Sequence, residues 1–270
     1  MTRVDHETLL ALAEMSQEAY GAGALRLGGG VEVLCGVRRL IGGERAVLAI
    51  RGSDWGGGLP IDWARNLSVG MARLRGAPGQ SVANTLGVMR AHAGFLEAAV
   101  RVLRWLRGPA VSDTGRGGNG TNGGHAPGGA TPVVPPLLAL AYQQGTLVVC
   151  GHSLGGAIAQ LVALLAPRGA LGAASFGAPA VGNAALALAL KPRVTRVEYR
   201  RDPVPGALDR LGYVRGGGLV TLGPSASTAW IEDALRLRAA RQALADHAIG
   251  AYIAALLETT EASTHEGGQP

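Results

Sequence analysis

The chain has 270 residues, 47% of them hydrophobic, which is enough for one domain with a sizeable buried core. Its 25 basic and 19 acidic residues leave a net charge of +6, but the basic residues are scattered arginines with Lys191 as the single lysine, and no nucleic-acid module accompanies them, which argues against a DNA or RNA partner. Two cysteines, Cys35 and Cys150, are too few for a disulfide framework and imply no metal centre, and the uncharged run 117–167 is cut by Pro135, Pro136, Gly145 and Gly151 into pieces too short to span a bilayer.

The first residues lack the charged-then-apolar order of a secretion signal, so the expectation is a cytoplasmic chain beginning near Met1, with leaderless export left open. Residues 8–20 place Leu9, Leu12, Ala13 and Ser16 on one helical stripe, with Asp5 set to cap the helix and Gly21 to stop it. Residues 31–37 and 38–41 read as strands. Gly42-Gly43 supplies a turn, and 45–50 is an apolar strand ending in Arg51-Gly52-Ser53. Residues 54–68 combine Gly56-Gly57-Gly58 with Trp55, Leu59, Ile61, Trp63 and Leu67. Within them, 55–67 is expected to form a mobile apolar lid, the alternative being a fixed loop whose Trp63 is core.

Ala91-His92-Ala93-Gly94-Phe95 opens a helix to about Leu106, with Leu96, Ala99, Val100 and Leu103 expected inward and Arg101, Arg104 and Arg107 solvated. Residues 109–136, rich in Gly, Pro, Thr and Asn, are expected to be a disordered surface insertion within a single domain spanning 1–258. Further strands are expected over 171–176 and 195–199, a helix over 184–190, an edge hairpin over 213–222 around Gly216-Gly217-Gly218, and a helix from about Trp230 to Asp246-His247. Residues 259–270 read as a frayed tail. Uncharged apolar strands alternating with helices give an α/β class, with a mostly parallel central sheet covered by helices on both faces.

Residues 146–160 carry the strongest chemical signal. A short apolar strand runs into Gly151-His152-Ser153-Leu154-Gly155, followed by an apolar helix. This fits G-x-S-x-G, the turn that lifts a serine clear of a sheet, at a helix N-terminus whose N–H groups can hold an oxyanion. A phosphate loop is excluded, because Gly156 is followed by Ala157 where a lysine is required. Serine needs a base, and the base needs an orienting acid. Asp202, fixed at a strand end by Pro203 and Pro205, and then His247 follow in the order Ser, Asp, His of an α/β-hydrolase. Asp209 and Asp233 are alternative acids by position. His92 and His152 are poorer bases, since one opens a helix and the other lies inside the turn. Asp246 reads as a helix cap.

In this order Ile50-Arg51-Gly52-Ser53, His92-Ala93-Gly94-Phe95, Gly151 to Gly156, Ser175-Phe176-Gly177-Ala178-Pro179 with Val181-Gly182-Asn183, Asp202-Pro203-Val204-Pro205, and Asp246-His247 with Tyr252 resemble the class 3 lipase family, the fungal-lipase-like α/β-hydrolases. The resemblance implies Ser153 as nucleophile, Asp202 as orienting acid and His247 as base, with backbone N–H groups of Ser53 and Leu154 as oxyanion hole. It implies a carboxylic ester hydrolase of acylglycerol lipids that needs neither metal nor cofactor. Its partners would be an ester or lipid substrate and, transiently, a lipid interface. A phospholipase A1-like specificity and a catalytically silent lipid-binding protein are the alternatives. Asn66 and Ala180 depart from the residues the family usually carries, acidic and arginine respectively, as does the Gly/Pro-rich insertion.

Overall fold

Three apolar strands with no polar side to turn toward water form the centre of the sheet. In β3 (Gly43–Ile50) the last five residues are buried, and in β6 (Val148–His152) and β7 (Gly172–Phe176) every residue is, the pattern of parallel strands covered on both faces. The computed structural model describes residues 5–52, 70–74, 87–108, 132–166, 170–199, 202–223 and 245–266, the side chains of 260–266 excepted. Within these, β1 (Leu25–Arg26), β2 (Glu32–Leu40), β8 (Val194–Tyr199) and β9 (Gly218–Leu222) complete a seven-stranded sheet of order β1-β2-β3-β6-β7-β8-β9. The first three strands are antiparallel. From β3 onward all pairings are parallel, with Ile50 opposite Gly151, Gly151 opposite Ser175, and His152 opposite Phe176. Strands β4 (Met71–Arg73) and β5 (Arg90–His92) make a separate two-stranded sheet.

Helices cover both faces. On one, α1 (His6–Glu18) and α6 (Ile249–Glu266) pack Leu9, Leu12, Met15, Tyr252 and Leu256 against Val47, Ala49, Cys150, Phe176 and Val197. On the other, α2 (Ala93–Leu106), α3 (Pro136–Gln144), α4 (Leu154–Leu165) and α5 (Ala184–Leu190) bury their apolar sides against Leu48, Ile50, Val149 and Ala173. Asp5 caps α1 as expected, its carboxylate accepting from Thr8 N at 2.7 Å. No described helix is long and apolar enough to cross a membrane.

Several expectations are corrected. Residues 31–41, read as two strands, hold one continuous strand, β2, paired to β3 from Val33 to Leu40. The buried stripe of α2 is Phe95, Ala99, Val102, Leu103 and Leu106 with Trp105, so Leu96 and Val100 are only half-buried; the core-facing arc is rotated toward the larger side chains. The segment 213–222 is no hairpin. Only β9 forms, parallel to β8, because Gly216 serves close packing: a Cβ there would lie 2.7 Å from Leu190 Cδ1 and 2.8 Å from Ala187 Cα. The expected insertion 109–136 is ordered from Pro132, whose carbonyl accepts from the Trp105 indole N–H at 2.7 Å, and Pro136 begins α3. Backbone of α6 continues through the first residues of the expected tail to Glu266, a stretch without Gly or Pro. The bulk of the insertion (109–131) and the expected helix from Trp230 lie outside the described residues, as do the lid residues Trp55, Leu59, Ile61 and Trp63.

Candidate active site

Strand β6 delivers Ser153 to the carboxyl-end edge of the sheet, and α4 begins at the next residue. Ser153 has φ 56° and ψ −128°, the only positive-φ residue other than glycine among those described. Such a conformation costs about 1–3 kcal/mol and persists only where its surroundings enforce it. Here Ser153 N donates to Phe176 O at 2.9 Å, and Ser153 O accepts from Ala157 N at 3.1 Å. The helix must also come close to the sheet. A Cβ on Gly155 would lie 2.0 Å from the Ile50 carbonyl oxygen, so only glycine fits between α4 and the end of β3.

Strand β8 and the turn after it bring Asp202 alongside. Its Oδ1 accepts from Val204 N at 2.9 Å, which locks the carboxylate over its own turn. The short helical turn before α6 presents His247. His247 Nδ1 lies 2.9 Å from both Asp202 oxygens and Nε2 lies 2.9 Å from Ser153 Oγ. Ser153, Asp202 and His247 are buried, with 0%, 7% and 2% exposure. A carboxylate only accepts, so Nδ1 carries the proton and Nε2 is left to accept from the serine hydroxyl.

Two further residues complete the acid's seat. Tyr252 of α6 donates its hydroxyl to Asp202 Oδ2 at 2.5 Å; burial, then the charge of Asp202, raises the phenol well above its ordinary pKa, so it remains a donor. Gly177, at φ 55°, leaves the space these groups occupy: a Cβ there would lie 2.5 Å from Asp202 Oδ2 and 2.8 Å from the Tyr252 hydroxyl. Tyr252 is visible in the sequence only as part of a motif, and Gly177 only as a loop glycine. Their roles depend on strands that the fold, and no local pattern, brings together.

Leu154 opens α4, in the first turn whose N–H groups have no acceptor within the helix. Ser53, its expected partner in an oxyanion hole, lies outside the described residues, as does Asp233. The alternative acid Asp209 pairs with Arg215 at 3.2 Å instead. Among the alternative bases, His92 is the N-cap of α2, accepting from Phe95 N at 3.3 Å, and His152 is buried beside His247 with ring centroids 4.6 Å apart. Neither takes the place of His247 on Ser153.

The sequence model for class 3 lipases matches residues 47–210, from within β3 through the turn that carries Asp202. The chain belongs to the class 3 lipase family. The lipase match spans Ser153 and Asp202, while His247 lies beyond it and is joined to Ser153 by the contact at its Nε2. Family and sheet together give the α/β-hydrolase fold expected from the motif order. Solved structures similar to the chain include the native Rhizomucor miehei lipase propeptide complex (18% identity, TM-score 0.46, 80% of this chain and 66% of that one). A Yarrowia lipolytica lipase follows (17%, 0.49, 82% of each chain), with a Penicillium expansum triacylglycerol lipase (15%, 0.46, 83% of each). The chain spans about two thirds, 65–66%, of the length of the Rhizomucor miehei chains it matches. No curated protein matches it.

Proposed function

We propose that the protein is a serine hydrolase that cleaves carboxylic esters, acylglycerol lipids foremost, through an acyl-enzyme on Ser153. One observation carries the reading: the continuous hydrogen-bonded chain from Ser153 Oγ through His247 to Asp202, set on a strained turn at a helix N-terminus.

The chemistry follows from the direction of those bonds. Neutral His247 takes the hydroxyl proton at Nε2 as Ser153 Oγ attacks the ester carbonyl, and Asp202 stabilises the resulting imidazolium through Nδ1–H. Negative charge on the carbonyl oxygen develops beside the first turn of α4, and the reading assigns the N–H groups of Leu154 and Ser53 as its two donors; the position of Leu154 at the start of that helix supports the first. The imidazolium then gives its proton to the departing alkoxide. Water, activated by the same nitrogen, attacks the acyl-serine, releases the carboxylic acid and restores the hydroxyl. Transient contact with a lipid interface belongs to the same reading and is supported by the apolar residues Trp55, Leu59, Ile61 and Trp63 that follow Ser53 in the sequence.

The test is hydrolysis of an ester panel graded from short to long acyl chains, each measured below and above the concentration at which it aggregates, with Ser153→Ala beside the native chain. Native turnover that Ser153→Ala lowers by about a million-fold in kcat is expected. A rate that jumps on aggregation supports the interface contact, and a smooth curve rejects it. Equal turnover by the two chains would sink the assignment.

A further inference from the structure

His152, the residue between Gly151 and the serine, is 3% exposed and uses both of its ring nitrogens. Nε2 lies 2.6 Å from the backbone carbonyl oxygen of His247, and Nδ1 lies 2.9 Å from the hydroxyl of Tyr20. A carbonyl oxygen can only accept, so the ring proton sits on Nε2; Nδ1 is then an acceptor, and the Tyr20 O–H donates to it. The two bonds therefore have one direction, running from Tyr20 through His152 to the main chain of His247. Burial, and then the neighbouring His247, pushes the His152 pKa down to about 3, so the ring keeps this neutral tautomer through the neutral pH range.

Tyr20 is itself held. It follows the last turn of α1, its N–H donating to Gln17 O at 3.0 Å, and the guanidinium of Arg51 lies over its ring at 5.6 Å from the centroid. Arg51 is in turn paired with Glu32 of β2. The Tyr20 hydroxyl fits against Gly52, where a Cβ would lie 2.3 Å from that oxygen and 2.7 Å from His152 O. One hydroxyl thus touches both the strand end that leads to Ser53 and the histidine that grips the main chain of His247.

We propose that Tyr20 and His152 are positioning residues for ester hydrolysis: Tyr20 fixes the ring of His152, and His152 anchors the His247 backbone so that its Nε2 meets Ser153 Oγ. The inference rests on His247 being the base and Ser153 the nucleophile. Asp202 accepts from Nδ1 on the far side of the imidazole, and the bond from His152 Nε2 to the carbonyl of the same residue adds a main-chain constraint on where its Nε2 lies. Because neither bond involves the reacting atoms, their loss falls on the proton-transfer geometry.

The experiment uses the full chain with a soluble short-chain nitrophenyl ester, fluorophosphonate labelling of Ser153, and thermal melts of every variant. Tyr20→Phe is expected to lower kcat about tenfold and His152→Phe about a hundredfold, with KM within about twofold of native, since misplacement of a catalytic group by an ångström has effects of this size. In His152→Gln the side-chain amide can again donate to the His247 carbonyl, so most of the loss should be recovered. Tyr20→Phe combined with His152→Phe should be no slower than His152→Phe alone, because both act through one link. Should His152→Phe fail to fold, Tyr20→Phe and His152→Gln decide the matter: a tenfold slower Tyr20→Phe beside a near-native His152→Gln supports the proposal. Native-like kcat in Tyr20→Phe, or a rise in KM equal to the fall in kcat, overturns it while native hydrolysis leaves the hydrolase reading standing. A native chain that neither hydrolyses the ester nor takes the label overturns both.

Discussion

His152 couples the site to pH through stability. In the folded chain its pKa is about 3 against an ordinary 6.5, so below 6.5 the unfolded chain takes up a proton that the folded one refuses. The stability this ring contributes is therefore complete above pH 6.5 and is lost as pH falls toward 3, at up to about 1.4 kcal/mol per pH unit. Urea midpoints at pH 7, 6, 5 and 4 should fall more steeply for the native chain than for His152→Gln, which has nothing to titrate. Equal slopes would mean that the ring gains its proton without leaving the fold. The pattern around Ser153 states the serine's own role in the sequence, but it is silent on this ring. Tyr20 is 132 positions from His152, and an aromatic residue just past a helix end carries no mark of what it will touch. The chain order of Ser153, Asp202 and His247 was legible because each stands at an element boundary beside Gly or Pro or in a family motif. The supporting atoms were not, because they are defined by pairings across the sheet.

At the scale of elements, α4 lies against the end of β3 only because Gly155 has no side chain. Gly155→Ala should cost at least ~2 kcal/mol, since the added carbon meets rigid backbone on β3 and has no rotamer to escape into. Gly250→Ala in α6 is the matched control: nothing lies within 4 Å of its Cβ position, so it should be neutral or slightly stabilising. Denaturation of both variants checks the pair, and a Gly155→Ala midpoint equal to that of Gly250→Ala would show that the sheet and helix can shift apart. The same kind of contact explains what could be read of the elements. β3, β6, β7, α1, α4 and α5 were legible from apolar runs and 3.6-residue stripes. α3 was missed because Pro135-Pro136 reads as a break, although proline is tolerated at the first helical position it occupies. β4 and β5 have three residues each, too few to show a period. The triple glycine before β9 reads as a turn, yet Gly216 is there to admit α5.

For the molecule as a whole, the bonds that join Ser153, His247 and Asp202 link distant positions: 94 residues separate Ser153 from His247, and 45 separate His247 from Asp202. The parallel pairing of β3 with β6 bridges Val47 and Val148. Such non-local parallel contacts form slowly, whereas helices form early. After dilution from urea, the far-UV signal of the helices should return before hydrolysis does. Simultaneous recovery would show that the sheet and its site close with the helices. Synthesis on the ribosome follows the same geometry. Tyr20 and strand β3 are made first, the serine later, and His247 and Tyr252 last of the site residues. On the proposed mechanism, a nascent chain displays an unarmed serine until its base has emerged and found it, and a product truncated before His247 should not turn over esters.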